Sequence, residues 1–149
     1  MGIAGASGLI CDFRGVWKLG YSANLSVCSV TSAGLWGLFH GLSIAWQYGF
    51  HRVYVEVDNM RVMKLISNPN TLVNEHFFLI KAIQDLLWRD WLIKVDHIYR
   101  EANEATYFLA SYSFSFSLGL HYFQSIPLNM LSILINDVHG VSHPRLVLP

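Results

Sequence analysis

The chain has 149 residues, a length that suits one domain and leaves little room for a second. Hydrophobic residues make up 53% of it and charged residues 13%, against about 25% charged in an average globular domain. Ten basic and ten acidic residues give a formal net charge of zero, which argues against the basic surface of a strong nucleic-acid binder.

Two cysteines, Cys11 and Cys28, are too few for a disulfide framework or a four-ligand zinc site. We interpret them as reduced thiols, so an intracellular localisation is expected, in a compartment that the sequence does not specify. No uninterrupted apolar run reaches about 18 residues, the length of a membrane-spanning helix, and the first residues lack the features of a signal peptide. No membrane partner is therefore expected.

The first half of the chain predicts a hairpin and a long helix. Residues 8–12 and 16–22 are short β-prone runs on either side of the turn sequence DFRG. Residues 31–48 predict a helix, because apolar residues recur at i, i+3, i+4 and i+7. Gly34 is unusual in the first turn, since glycine weakens a helix by roughly 1 kcal/mol relative to alanine. Gly49 is expected to end this helix.

The second half predicts strands that alternate with helices. The sequence HRVYVEVDN, residues 51–59, alternates valine with polar residues, which is typical of a strand with one buried face. A short helix follows and stops before Pro69. Residues 74–90 predict a helix, residues 91–100 a strand, and the residues from 101 a further helix. This order favours an α/β domain with a partly parallel sheet over residues 1–112, with residues 113–149 as a C-terminal extension.

An ordered set of segments carries a resemblance to a known family. The segments are GLICDFRGVW, LWGLFHGLSIAWQYGFHRVYVEVDN and WRDWLIKVDHIYREANEATYFLA, which follow one another with matching gaps. The set resembles the plant reverse-transcriptase-like ribonuclease H domains, which are type 1 modules derived from non-LTR retroelements. The resemblance extends from residue 7 to residue 145, nearly the whole chain.

The resemblance implies a fold, an activity and a cofactor. The fold is ribonuclease H-like, a mixed sheet flanked by helices, and the activity is endonucleolytic hydrolysis of the RNA strand of RNA–DNA hybrids. In such chemistry two Mg²⁺ ions about 4 Å apart hold the attacking water and the leaving oxygen. Mg²⁺ takes oxygen ligands, so several carboxylates must converge. An RNA–DNA hybrid, or another nucleic acid, is the implied partner.

One of the four family carboxylates has a counterpart in this chain by that resemblance. Asp58, at the end of VYVEVDN, matches the aspartate that ends a strand. Gly34 stands where the helix glutamate belongs, and Tyr107 stands where the late aspartate belongs. The first aspartate belongs to a segment before the lead-in with which this sequence begins, so the first, central strand is expected to be missing or truncated. Asp58 is then the sole retained family carboxylate, and it is the candidate catalytic residue and metal ligand.

Asp58 and Glu56 could each have a structural role in place of a role as metal ligand. An aspartate directly before NMRVMKLI is also a good helix N-cap, so Asp58 could cap the short helix. Glu56 lies two residues earlier on the same strand face, about 7 Å away, and is a candidate substitute ligand. The alternative for Glu56 is an ion pair with Arg52 or Arg61.

The remaining candidates also have two interpretations. His97 either assists a nuclease site or makes local hydrogen bonds at a strand end. Glu104 precedes Tyr107 by about one helical turn and could approach the same face. Tryptophans could supply stacking platforms for bases, although packing into the core explains them better. The five are Trp17, Trp36, Trp46, Trp88 and Trp91.

The function expected from these observations is that of a ribonuclease H-type protein with impaired catalysis, a pseudoenzyme that does not hold Mg²⁺ productively. Loss of three of the four ligands is expected to abolish the paired metal site. The alternative is a non-catalytic binding module with the same fold, or a decayed retroelement fragment.

Overall fold

The computed structural model describes residues 2–12, 14, 17–68, 75–97, 117–124 and 146–148. These residues form a mixed α/β structure with one sheet and three helices, in agreement with the ribonuclease H-like fold class that the sequence predicts. In chain order the elements are β1 (Gly2–Asp12), β2 (Trp17–Cys28), α1 (Val30–Gln47), β3 (Arg52–Val57), α2 (Met60–Ser67), α3 (Phe77–Leu87), β4 (Leu92–His97), β5 (Gly119–Phe123) and β6 (Leu146–Leu148).

The sheet has the strand order β4-β3-β6-β1-β2-β5. Strands β1, β2 and β5 form an antiparallel block, and β3 and β4 form a parallel pair. The two blocks are joined by β6, which runs parallel to β1 and antiparallel to β3. The sequence predicted that a central strand would be missing at this place, and the three residues of β6 occupy the position between β3 and β1. Two strands of the sheet therefore come from residues beyond 112.

The hairpin of β1 and β2 is longer than the sequence predicted, and a glycine–tyrosine pair lies at its centre. Gly8 pairs directly with Tyr21 across the two strands. A Cβ at Gly8 would overlap the hydroxyl end of the Tyr21 side chain, so the ring lies over the glycine backbone. Tyr21 is fully buried, and its hydroxyl donates a hydrogen bond of 2.7 Å to the carbonyl of Gly37 in α1. Burial raises the pKa of Tyr21, so this hydroxyl remains a donor.

Helix α1 confirms the helix predicted over residues 31–48 and lies directly on the hairpin. Ser29 caps it, because the Ser29 Oγ accepts a hydrogen bond of 3.1 Å from the N–H of Ser32. Gly49 follows its end with a φ of +76°, the left-handed conformation that favours glycine. A Cβ at Gly37 would lie 3.2 Å from the Ser7 carbonyl oxygen in β1. Glycine at position 37 thus allows the helix and the strand to approach closely.

The three helices pack on one another, and α1 packs on the hairpin, around a continuous apolar core. Val53 and Val55 of β3 are buried, as the alternation of that strand predicted. Helix α3 begins and ends inside the predicted range of 74–90, and it buries Ile80, Ile83 and Leu86. The Gln84 side chain donates to the carbonyls at the end of α2, which ties these two helices together. No helix among the described elements has the length and apolarity to cross a membrane.

The tryptophans do not all pack into the core as predicted. Trp46 and Trp91 contact each other edge to face, with ring centroids 5.2 Å apart. Trp88, however, is 88% exposed, because it follows the last residue of α3 and its side chain points away from the packed faces. The predicted helix from residue 101 lies outside the described residues.

The contact between Gly8 and Tyr21 predicts two different costs of substitution. Tyr21→Phe removes one buried hydrogen bond and should lower the free energy of unfolding by about 1 kcal/mol. Gly8→Ala places a methyl group within the space of the ring and should cost about 3 kcal/mol. Urea unfolding followed by circular dichroism measures both. A cost for Gly8→Ala no larger than that for Tyr21→Phe would contradict the close contact.

Candidate functional site

The candidate site lies at the corner where β3 ends and α2 begins. Asp58 and Asn59 connect the two elements. Asn59, and not Asp58, is the N-cap of α2, because its Oδ1 accepts hydrogen bonds from the N–H groups of Arg61 and Val62 at 3.0 and 3.3 Å. The sequence interpretation of Asp58 as the cap was therefore wrong by one residue.

His97 reaches the same corner from the neighbouring strand. It pairs with Val57 in the parallel register of β3 and β4, so both strands end at this edge of the sheet. The His97 Nε2 lies 3.1 Å from the backbone carbonyl oxygen of Asp58. Because a carbonyl oxygen accepts, Nε2 carries the hydrogen in this contact. His97 therefore makes a local hydrogen bond at a strand end, which is the second of the two interpretations of this residue. The bond holds the backbone at the point where the chain leaves β3.

Gly34 of α1 faces this corner, and its surroundings explain why glycine is present in the first turn. A Cβ at position 34 would lie 2.9 Å from Val62 Cγ2 and 3.5 Å from Asn59 Nδ2. Val62 is fully buried and belongs to the core. Its methyl group occupies the space into which a side chain at position 34 would extend. The structure therefore brings Gly34 next to the Asp58–Asn59 turn, with the valine of α2 packed between the two helices.

The described residues at this corner supply few of the oxygen ligands that a pair of Mg²⁺ ions takes. Gly34 supplies no ligand, and the side chains beside it belong to Val62 and to the cap Asn59. Within the described parts of the chain, no three His, Cys, Asp or Glu residues are placed to hold a metal ion together. Two dications need several converging carboxylates. Tyr107 and Glu104 lie outside the described residues.

A second polar cluster, which no sequence motif indicates, lies on the outer face of β3 and β4. The Tyr54 hydroxyl donates to Asp96 Oδ2 at 2.5 Å, and Lys94 Nζ lies 3.2 Å from the same oxygen. Lys94 also lies over the Tyr54 ring, 5.4 Å from its centroid. Glu56 pairs with Asp96 in the parallel register, so the two carboxylates are neighbours on this face. The alternation of residues along both strands is the sequence signal that could have placed these side chains on one face of the sheet.

The hydrogen bonds of this cluster shift the pKa values of its members in opposite directions. The hydrogen bond to Asp96, followed by burial and the charges of Asp96 and Glu56, raises the pKa of Tyr54 to about 12. The same hydrogen bond, with help from Lys94, lowers the pKa of Asp96. Asp96 is therefore a carboxylate already engaged by two donors, which makes it a component of the sheet surface and a poor candidate for a metal ligand.

Comparison with known proteins places the chain in a family. A family model described as reverse transcriptase-like matches residues 1–113. The chain belongs to this reverse transcriptase-like family. It is also 38% identical over 146 residues to an Arabidopsis thaliana protein named "putative ribonuclease H protein". The match covers 98% of this chain and 24% of that protein, so the chain spans about a quarter of the length of its relative.

The packing of Gly34 against Val62 predicts a strong coupling between the two positions. Gly34→Ala should lower the free energy of unfolding by about 1 to 3 kcal/mol, because Val62 is stiff and buried and cannot move aside freely. In a Val62→Ala background the added methyl has space, and the same substitution should be neutral or stabilising, since alanine favours the helix. A double-mutant cycle by urea unfolding measures the coupling. Additive effects would show that the two residues do not touch.

The Tyr54–Asp96 hydrogen bond predicts a change in an acid titration. Because the pKa of Asp96 is lowered in the folded state, its contribution to stability is present above about pH 4 and is lost as the pH falls through the lowered pKa. Tyr54→Phe removes the main donor, so the pKa of Asp96 should rise towards its ordinary value. Carboxyl carbon shifts in an NMR titration measure it. Tyr48→Phe is the control and should leave the titration of Asp96 unchanged.

Proposed function

We propose that this chain is a ribonuclease H-fold domain that binds nucleic acid and does not catalyse the Mg²⁺-dependent cleavage of RNA–DNA hybrids. The observation that carries the proposal is the position of Gly34. By the family resemblance a glutamate belongs there, and a Cβ at this position would lie 2.9 Å from Cγ2 of the buried Val62. Any side chain at this position would therefore require a core residue to shift.

The charge at the corner supports the same conclusion. Asp58 carries one negative charge, which cannot balance two divalent cations. By resemblance, Tyr107 stands at the place of a further ligand, and a phenol whose ordinary pKa is about 10 is neutral at pH 7. The retained Asp58 is best understood as an inherited residue whose former partners at positions 34 and 107 have been replaced.

Cations on α2 support nucleic-acid binding beside this corner. Arg61 and Lys64 are both exposed, and they lie three residues apart, on one side of the helix. Among the residues described, the salt bridges engage other cations, so these two remain available to phosphates. The net charge of zero predicts weak binding that salt suppresses further. Family membership and the printed name of the relative make an RNA–DNA hybrid the first ligand to test.

Incubation of the purified chain with a labelled RNA–DNA hybrid and Mg²⁺ should yield no cleavage products on a denaturing gel. An active ribonuclease H in parallel reactions confirms the substrate. Asp58→Asn should also yield no cleavage products, because the wild type is expected to have no cleavage activity that the substitution could remove. Cleavage by the wild type that disappears in Asp58→Asn would overturn the proposal.

Binding is tested separately by fluorescence anisotropy of the same hybrid without Mg²⁺, at several salt concentrations. Arg61→Ala and Lys64→Ala should each weaken binding and reduce the magnitude of the salt slope by about 1. Lys81→Ala is the matched control, because Lys81 is also an exposed helix lysine but is paired with Asp85 at 3.2 Å. Equal effects of all three substitutions would argue against α2 as the binding element.

A further inference from the structure

Two turns meet at the end of the parallel pair that lies opposite the Asp58 corner. Residues 48–51 lead from α1 into β3, and residues 88–91 lead from α3 into β4. Because β3 and β4 are parallel, both strands begin at this end. The Leu92 N–H donates to the His51 carbonyl at 2.7 Å and joins the turns. Six strand residues separate this end from the corner, about 20 Å.

Aromatic packing under the two turns holds them in place. Trp46 and Trp91 contact each other edge to face, and the Trp91 Nε1 donates to the Leu86 carbonyl at 2.9 Å. The Arg89 guanidinium lies over the Trp46 ring, 5.1 Å from its centroid. These contacts connect the ends of α1 and α3. The surface above them is therefore supported by a packed base, and its side chains project from fixed backbone positions.

Large apolar side chains project from this base into solvent. Trp88 is 88% exposed, Leu92 67% and Tyr48 55%. Tryptophan is highly buried on average, so a ring this exposed on a supported turn is unusual. We refer to residues 48–52 and 88–92 together as the turn surface.

Positive charge accompanies these exposed rings. Arg52 and Arg89 are exposed on the turn surface, with His51 beside them, while Asp90 is its one acidic residue. Neither arginine takes part in the salt bridges found among the described residues, which engage His76, Lys81 and Lys94. Exposed rings next to guanidinium groups that are outside these salt bridges match the two parts of a nucleotide, a flat base and a phosphate.

We propose that the turn surface binds single-stranded nucleic acid, with bases stacked on Trp88 and Tyr48 and phosphates held by Arg52 and Arg89. A single strand is favoured over a duplex, because the faces of duplex bases are already stacked on one another and are closed to a side chain. The site is separate from the α2 surface, and the proposal does not depend on hybrid binding there.

Anisotropy of a labelled oligouridine tests the proposal on the full chain. Trp88→Ala should weaken binding about tenfold or more, the effect of losing one stacked base. Trp88→Phe should retain most of the affinity, because a phenyl ring also stacks. Phe78→Ala is the matched control: Phe78 is 85% exposed at the other end of α3, and its loss should leave binding unchanged. Equal losses for Trp88→Ala and Phe78→Ala would overturn the proposal.

Two further measurements distinguish binding at the turn surface from binding at α2 and from self-association. Arg52→Ala should reduce the magnitude of the salt slope by about 1, whereas Lys81→Ala, at a lysine that is paired with Asp85, should leave oligouridine binding unchanged. Dependence on Arg61 without dependence on Trp88 would place the single strand at α2 and overturn the proposal. Concentration-dependent dimerisation that Trp88→Ala abolishes, in a chain that binds no oligouridine, would identify the occupant as a second copy of the chain and would also overturn it.

Discussion

The close approach of α1 to the hairpin is the constraint on which the rest of the described fold depends. Gly8 has no side chain, so the Tyr21 ring can lie over it and reach the carbonyl of Gly37. Gly37 in turn allows the helix backbone to come near the Ser7 carbonyl. These contacts depend on one another, because a side chain at Gly8 would displace the Tyr21 ring and a side chain at Gly37 would push the helix away from Ser7. The distance between α1 and the hairpin then sets the position of every element that packs on α1.

The same close approach of α1 to the sheet determines which side chains surround the candidate site. With α1 held close to the sheet, its first turn meets α2, and the contact is made by Gly34 and the buried Val62. An apolar junction has thus formed beside Asp58, in a place where a charged side chain would have to be desolvated. The fold can therefore be kept without the metal ligands of a nuclease. The packing of α1 stabilises the helix whether or not the helix carries a metal-binding side chain.

The sequence predicted the elements that depend on local pattern and missed the contacts that depend on distant residues. The periodicity of α1 and the alternation of Val53 and Val55 in β3 are local signals, and both predictions are confirmed. The cap at Asn59 was placed one residue early, because aspartate and asparagine are equally good caps and only the backbone geometry distinguishes them. The bond from Tyr54 to Asp96 spans 42 residues, and no local pattern indicates it. The family resemblance implied that position 34 lies near Asp58. Only the three-dimensional structure shows that Gly34 lies against Val62.

The short central strand has a consequence for the order in which the sheet forms. Strand β6 pairs with Ile10–Asp12 on one side and with Tyr54 and Val55 on the other, although it follows both partners by many residues in the chain. During synthesis the hairpin and the parallel pair emerge well before the segment that joins them. Contacts of such long range close slowly, since the entropy of loop closure opposes them. Until the residues of β6 have been synthesised, the edges of β1 and β3 with which it pairs lack this partner.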